Sequence, residues 1–192
     1  CNYHCTMCQV SDWTDLKRSR DMTLGEYKTL IDSLTNSLTE IKLQGMGEPL
    51  LGKSYFDMIK YARERHIWVR SITNGSVLKG KDNYKRIIDA DVCELHVSID
   101  GCDKEVYEKI RLGGNFEKVS ENCQLLNTYA KSADRDRTRM WTVVQRSNYH
   151  QIEKFPLLAA ELGFSRLTLS LDLNDWGQDN WREINDKADT QN

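Results

Sequence analysis

Three cysteines fall within the first eight residues, in the stretch CNYHCTMC, at Cys1, Cys5 and Cys8. The next is Cys93, so the group is one thiol short of four. Thiols crowded at this C-x3-C-x2-C spacing bind metal more readily than they do anything else. Two kinds of site are open on these residues. A structural zinc ion wants four tetrahedral ligands and would need a remote partner. An iron–sulfur cube ordinarily takes four cysteines. Held by three, it keeps one iron open, and an open position is what a catalytic metal site retains for a small molecule. Disulfides are a poor account: the chain is long enough to fold without staples, and a Cys5–Cys8 bridge would strand Cys1. Reduced thiols suit a cytoplasmic protein.

Something must hold that loop and face it. Helix and strand signals alternate along the chain. A capping box at Thr23-x-x-Glu26 opens a helix with Leu24, Tyr27, Ile31, Leu34 and Leu38 at helical spacing. A second cap is expected at Ser54-x-x-Asp57. Later helices begin at NYKRIIDA, at Asn115, and afresh near Pro156 with Gly163 at the end. Strands are expected in EIKLQGMGEP, IWVRSITNG, VCELHVSIDG, RMWTVVQR and SRLTLSLDL. Strands separated by helix-length crossovers imply an α/β fold with a parallel sheet. Five are legible, and a sixth is expected upstream of Cys1, in a longer protein of which this is a segment.

Active sites of parallel sheets gather at the C-terminal strand ends. The polar stretches 45–49, 73–75, 98–101, 145–146 and 172–174 all lie at such ends. Alternation along the fourth expected strand puts Glu94, His96, Ser98 and Asp100 on one face and Leu95, Val97 and Ile99 on the other. A strand buried on both faces reads as continuously apolar, so a half-polar one lines a cavity. Thr168, Ser170 and Asp172 repeat the pattern on the last strand. His96, Ser170 and Asp172 are therefore the candidate substrate residues.

The motifs together resemble the radical S-adenosylmethionine (radical SAM) enzymes, most closely those of the SPASM type. The resemblance rests on Cys1-Asn2-Tyr3-His4-Cys5-Thr6-Met7-Cys8 and on Gly45-Met46-Gly47-Glu48-Pro49. It continues in Val97-Ser98-Ile99-Asp100-Gly101 and in the stretch from Tyr107 to Arg111 followed by Gly113-Gly114-Asn115-Phe116. It implies a partial parallel (β/α)6 barrel, with residues 1–175 as the core and 176–192 as a linker or the start of a C-terminal extension. It implies a 4Fe–4S cluster on the three cysteines and SAM bound at its open iron. Glu48 would meet the SAM amino group and Arg111, on the helix after the fourth strand, the SAM carboxylate. Ser98 would also reach SAM, and the backbone of Met7 the adenine. Gly45, Gly47, Pro49, Asn74 and Asp100 would complete the cofactor site.

The implied reaction is reductive cleavage of SAM to a 5′-deoxyadenosyl radical that takes a hydrogen atom from a peptide, protein or sugar-type substrate. A flavodoxin or ferredoxin would supply the electron, and further iron–sulfur clusters would sit outside this segment. Two positions depart from the family pattern. Met7 stands where many members carry an aromatic residue, and Met46 stands at the second glycine of the Gly-Gly-Glu stretch. The alternative is a zinc-stabilised, non-catalytic binding module.

The composition is compatible with either. The 192 residues carry 27 Lys plus Arg against 29 Asp plus Glu, with 39% hydrophobic residues. A near-neutral balance argues against a nucleic-acid surface, and no apolar run approaches a membrane span. Cys123, on the stripe of the helix after Asn115, and Cys93 are expected to be small core residues.

Overall fold

The computed structural model describes residues 1–12, 20–34, 36–171, 182–183 and 185–186. In chain order its elements are β1 (His4–Cys5), α1 (Leu24–Leu34), β2 (Glu40–Lys42), α2 (Tyr55–Arg63), β3 (Trp68–Thr73), α3 (Asn83–Asp89) and β4 (Glu94–Ser98). There follow α4 (Lys104–Ile110), β5 (Arg111–Leu112), α5 (Phe116–Ser132), β6 (Thr138–Val143), α6 (Phe155–Glu161) and β7 (Leu167–Ser170). Five strands make one sheet in the order β2-β3-β4-β6-β7. Every neighbouring pair in it is parallel, as the helix-length crossovers require.

Local chemistry starts and stops the helices. At α1, Thr23 Oγ1 accepts from the Glu26 N–H at 3.2 Å, and the Glu26 carboxylate accepts from the Thr23 N–H at 2.9 Å. Asn115 caps α5 by accepting from the Lys118 N–H at 2.7 Å. Pro156 lies in the first turn of α6, and Gly163 follows that helix with φ +84°. Two expectations are corrected. Ser54 makes no side-chain cap for α2, because its φ/ψ of −103°/8° is not the extended conformation that aims a cap oxygen at the first turn. The stripe of α1 does not run on to Leu38: the helix ends at Leu34, which is exposed, while Tyr27 and Ile31 are buried.

The sheet has two unlike faces. Val69, Leu95, Val97 and Met140 point to the helices, where they meet Ile31, Ile59, Ile87, Leu126, Cys123 and Phe155 in one core. Burial of that face is the main source of stability, at roughly 25 cal/mol per Å² of apolar surface removed from water. The register places Arg70 beside Glu94, His96 beside Arg139 and Trp141 beside Thr168 on the opposite, polar face. Cys93 is buried as expected and accepts from the Val69 N–H at 3.3 Å.

Arg111 is not helical. Helix α4 ends at Ile110, and Arg111 caps it and opens β5, which pairs antiparallel with β1. The turn into α4 is crowded. A Cβ on Gly101 would stand 2.4 Å from the Tyr107 nitrogen and 2.6 Å from its Cα. Asp172, Trp13, Trp176, Trp181 and most of the stretch 176–192 lie outside the described residues. No helix among the described residues is long and apolar enough to cross a membrane.

Gly101→Ala should therefore overpack a backbone contact that cannot yield, costing about 1–3 kcal/mol. Urea unfolding checks it. A midpoint unchanged from the parent would mean that α4 shifts freely away from the end of β4.

Candidate active site at the cysteine loop

The cysteine loop is bound down by its own backbone. Cys5 lies opposite Arg111 in the short β1–β5 ladder, and the Thr6 N–H donates to Ile110 O at 2.9 Å. The Cys8 N–H donates to Cys5 O at 3.1 Å, closing a turn across Thr6 and Met7, and the Ser11 hydroxyl donates to the same oxygen at 2.9 Å. Cys5 is buried, Cys8 half-buried and Cys1 exposed. Two amides fasten the start of the loop to the end of β3. Asn74 Nδ2 donates to Asn2 Oδ1, and Asn2 Nδ2 donates to the Ser76 hydroxyl, each at 2.9 Å. Asn74 Nδ2 also lies 4.0 Å from the Cys1 sulfur.

A zinc site brings every ligand to about 2.3 Å from one centre, whereas a cube takes each cysteine on a different iron. Three thiols within one loop are the donor set of a cube that keeps one iron open.

Glu48 follows the glycine turn after β2 and is buried. A Cβ on Gly47 would lie 3.4 Å from the Cys1 nitrogen, so this turn touches the loop; Gly45 faces open space. The Glu48 carboxylate accepts from the Thr73 hydroxyl at 2.7 Å, the Leu50 N–H at 3.2 Å and the Asn74 N–H at 2.7 Å. A carboxylate offers about four lone-pair positions, so one remains for a ligand cation. Pro49 starts the single 3₁₀ turn, Pro49–Leu51, that supplies the Leu50 donor. Burial pushes the Glu48 carboxyl above its ordinary value, although these three bonds and the Arg111 charge pull it down.

Arg111 is buried beside Cys5 and gives Nε and Nη2 to Asp100 Oδ2, at 2.8 and 2.6 Å. The second Asp100 oxygen accepts from the Val143 N–H at 2.8 Å. Asp100 is fully buried. Its carboxylate holds Arg111 in position and ties it to β6. The pair uses Nε and Nη2 and leaves Nη1 outside it. Ser98 is buried at the end of β4, in register with Trp141.

Of the three candidate substrate residues, His96 and Ser170 lie on the polar face; Asp172 lies outside the described residues. His96 stacks on Trp141 with ring centroids 4.8 Å apart and planes 13° apart. Sequence reasoning missed Asn2, Arg70, Arg139, Trp141 and Arg166. Period-two alternation applied to IWVRSITNG and RMWTVVQR would have put Arg70, Arg139 and Trp141 on the same face as His96. Asn2 carried no such signal.

A model of the Radical SAM superfamily matches residues 1–155. The mycofactocin maturase MftC of Mycolicibacterium smegmatis is 26% identical over 191 residues, which is 100% of this chain and 47% of that protein. The AdoMet-dependent heme synthase of Methanosarcina barkeri is 29% identical over 164 residues, 85% of this chain and 45% of that protein. The crystal structure of Streptococcus suis SuiB bound to S-adenosylmethionine shares the fold, with a TM-score of 0.73 at 15% identity over 97% of this chain and 44% of that one. The chain spans about half the length of the curated relatives it matches.

Glu48 gives a test of the site's electrostatics. An acid whose pKa is raised by folding contributes full stability below its ordinary value, here 4.5, and loses it as pH climbs through the raised value. Glu48→Gln cannot ionise, so it should cost most stability at acidic pH and progressively less toward neutrality. Unfolding both proteins across a pH series measures the difference; a gap that widens with pH would contradict the assignment.

Proposed function

The chain belongs to the radical SAM superfamily, and from that premise we propose that it is the catalytic core of an enzyme that cleaves SAM reductively to abstract a hydrogen atom from a substrate. Members of this superfamily use a 4Fe–4S cluster and SAM, and Cys1, Cys5 and Cys8 are the residues that would hold the cluster. When bound, the two cofactors supply one-electron cleavage and a hydrogen-abstracting radical.

The chain's own part is placement. Glu48 offers its remaining lone pair to the SAM ammonium, and Arg111 turns Nη1 to the SAM carboxylate. Ser98, Asn74 and the backbone around Met7, Gly45 and Gly47 line the rest of the cofactor's path. Asp100 keeps Arg111 still while this happens. One observation carries the reading: a buried acceptor, Glu48, and a buried cation, Arg111, flank one three-cysteine loop, opposite charges set for an amino acid's two ends.

The wider setting is read from the relatives. The remaining half of a protein of their length would carry the auxiliary clusters of SPASM-type enzymes, with residues 176–192 leading into it. A flavodoxin or ferredoxin would donate the electron, in the cytoplasm. The substrate would be a peptide: SuiB has been crystallised with a precursor peptide, and MftC is named as a maturase.

Cys5→Ala should lower the charge-transfer absorbance at about 400 nm after anaerobic reconstitution by the share of one cluster, leaving that of the auxiliary clusters, and should abolish all 5′-deoxyadenosine formation. Glu48→Gln should keep that absorbance and weaken SAM binding about ten- to a hundredfold, the worth of one charge-assisted bond. Wild-type SAM affinity in Glu48→Gln, read by equilibrium dialysis, would remove Glu48 from the cofactor site.

A further inference from the structure

The polar face of the sheet carries a second charged assembly below the cofactor site. Glu94, at the start of β4, lies four residues before Ser98, or about 13 Å along the strand. Its carboxylate is 92% shielded and meets three guanidiniums: Arg70 at 2.9 Å, Arg139 at 2.9 Å and Arg166 at 3.6 Å. Glu40 reaches only Arg70, at 3.4 Å. Among the described residues no second carboxylate meets Arg139 or Arg166. Their other contacts are neutral oxygens, Thr168 Oγ1 for Arg139 and the Asp136 carbonyl for Arg166, both at 3.1 Å.

The count leaves positive charge over. Three guanidiniums face two carboxylates, and His96 adds none at neutral pH: burial, with Arg139 and Arg70 beside it, outweighs Glu94 and holds the ring below its ordinary value. Arg70 Nε lies near Glu94 but out of line for a hydrogen bond and keeps its donor open. The three arginines keep 27–36% of their side-chain surface open to solvent on this face. Guanidinium forks in this setting match carboxylates bidentately. Above them the His96–Trp141 stack makes a flat wall that rises to the level of Ser98.

We propose that Arg139 and Arg166, steadied by Glu94 and Arg70, form a recognition site for a substrate carboxylate, so that the substrate class is acidic peptides. This rests on the function proposed above, since it takes the polar face as the substrate side of the cofactor. A peptide held by an Asp or Glu side chain at the arginines would run up the Trp141 wall toward Ser98 and the cysteine loop.

The test uses the full-length protein that contains this chain, reconstituted with its cluster and immobilised. It is washed with a random heptapeptide pool whose C-termini are amidated, so that only Asp and Glu carry carboxylates. The retained peptides should be enriched in Asp and Glu by roughly threefold or more. Arg139→Gln and Arg166→Gln should each remove the enrichment, while Lys104→Gln, on the far helix α4, should keep it. No enrichment in the parent, or enrichment that survives both arginine substitutions, overturns the proposal. So does a structure of the full protein in which one of its own carboxylates occupies the two arginines. SAM binding by equilibrium dialysis runs alongside: SAM bound without acidic enrichment sinks the carboxylate site alone, and acidic enrichment without SAM binding sinks the cofactor reading alone.

Discussion

The Arg111–Asp100 pair is the contact on which the site's geometry depends. Asp100 ends β4, Arg111 begins β5, Cys5 lies across the ladder from Arg111, and the Val143 N–H ties Asp100 to β6. One buried ion pair thus joins the sheet, the helix α4 and the cysteine loop. Both partners are almost wholly out of water, so neither can be removed alone without stranding a charge, at about 3–5 kcal/mol. Gly101 presses the same junction from the other side, where only a residue without Cβ lets α4 come so near.

Around that pair the sheet divides its labour. One face is apolar and pays for the fold by burial against the helices. The other holds Glu94, His96 and Ser98, all nearly inaccessible yet polar. Polar groups out of water cost about 1–3 kcal/mol each when left unmatched. The arginines of three neighbouring segments meet Glu94 for that reason. A polar inner face can be kept only where its charges are matched among themselves or by what binds there.

Much of this was written in residue order. The crowding of three cysteines marks the loop by spacing alone, and the alternation in VCELHVSID separates the two faces of β4. The ends of β3 and β4 could be placed because they run into Asn74-Gly75 and Asp100-Gly101. The β1–β5 ladder could not be, since two-residue strands have no periodicity to read. Arg111 was misplaced on a helix for a related reason: Tyr107 to Arg111 continues a helical pattern, and only pairing with Cys5 draws its last residue out. Ser54 looked like a cap because its type is right, but capping needs a backbone conformation that its neighbours do not allow. The place of Asp100 at a strand end is visible in sequence, while its pairing with Arg111, eleven positions on, is not.

The shared oxygen between Arg111 and Asp100 also bears on what happens between successive rounds of binding. A guanidinium that relied on its ligand for a counter-charge would be left isolated each time the ligand departed, and the surrounding backbone would open to let water in. Here the aspartate pairs with the arginine in the absence of any ligand. Release of an anion bound to Arg111 would remove one of several partners and leave a balanced pair behind. The arginine would also be held already when the next anion arrived, so little side-chain freedom would be lost on capture.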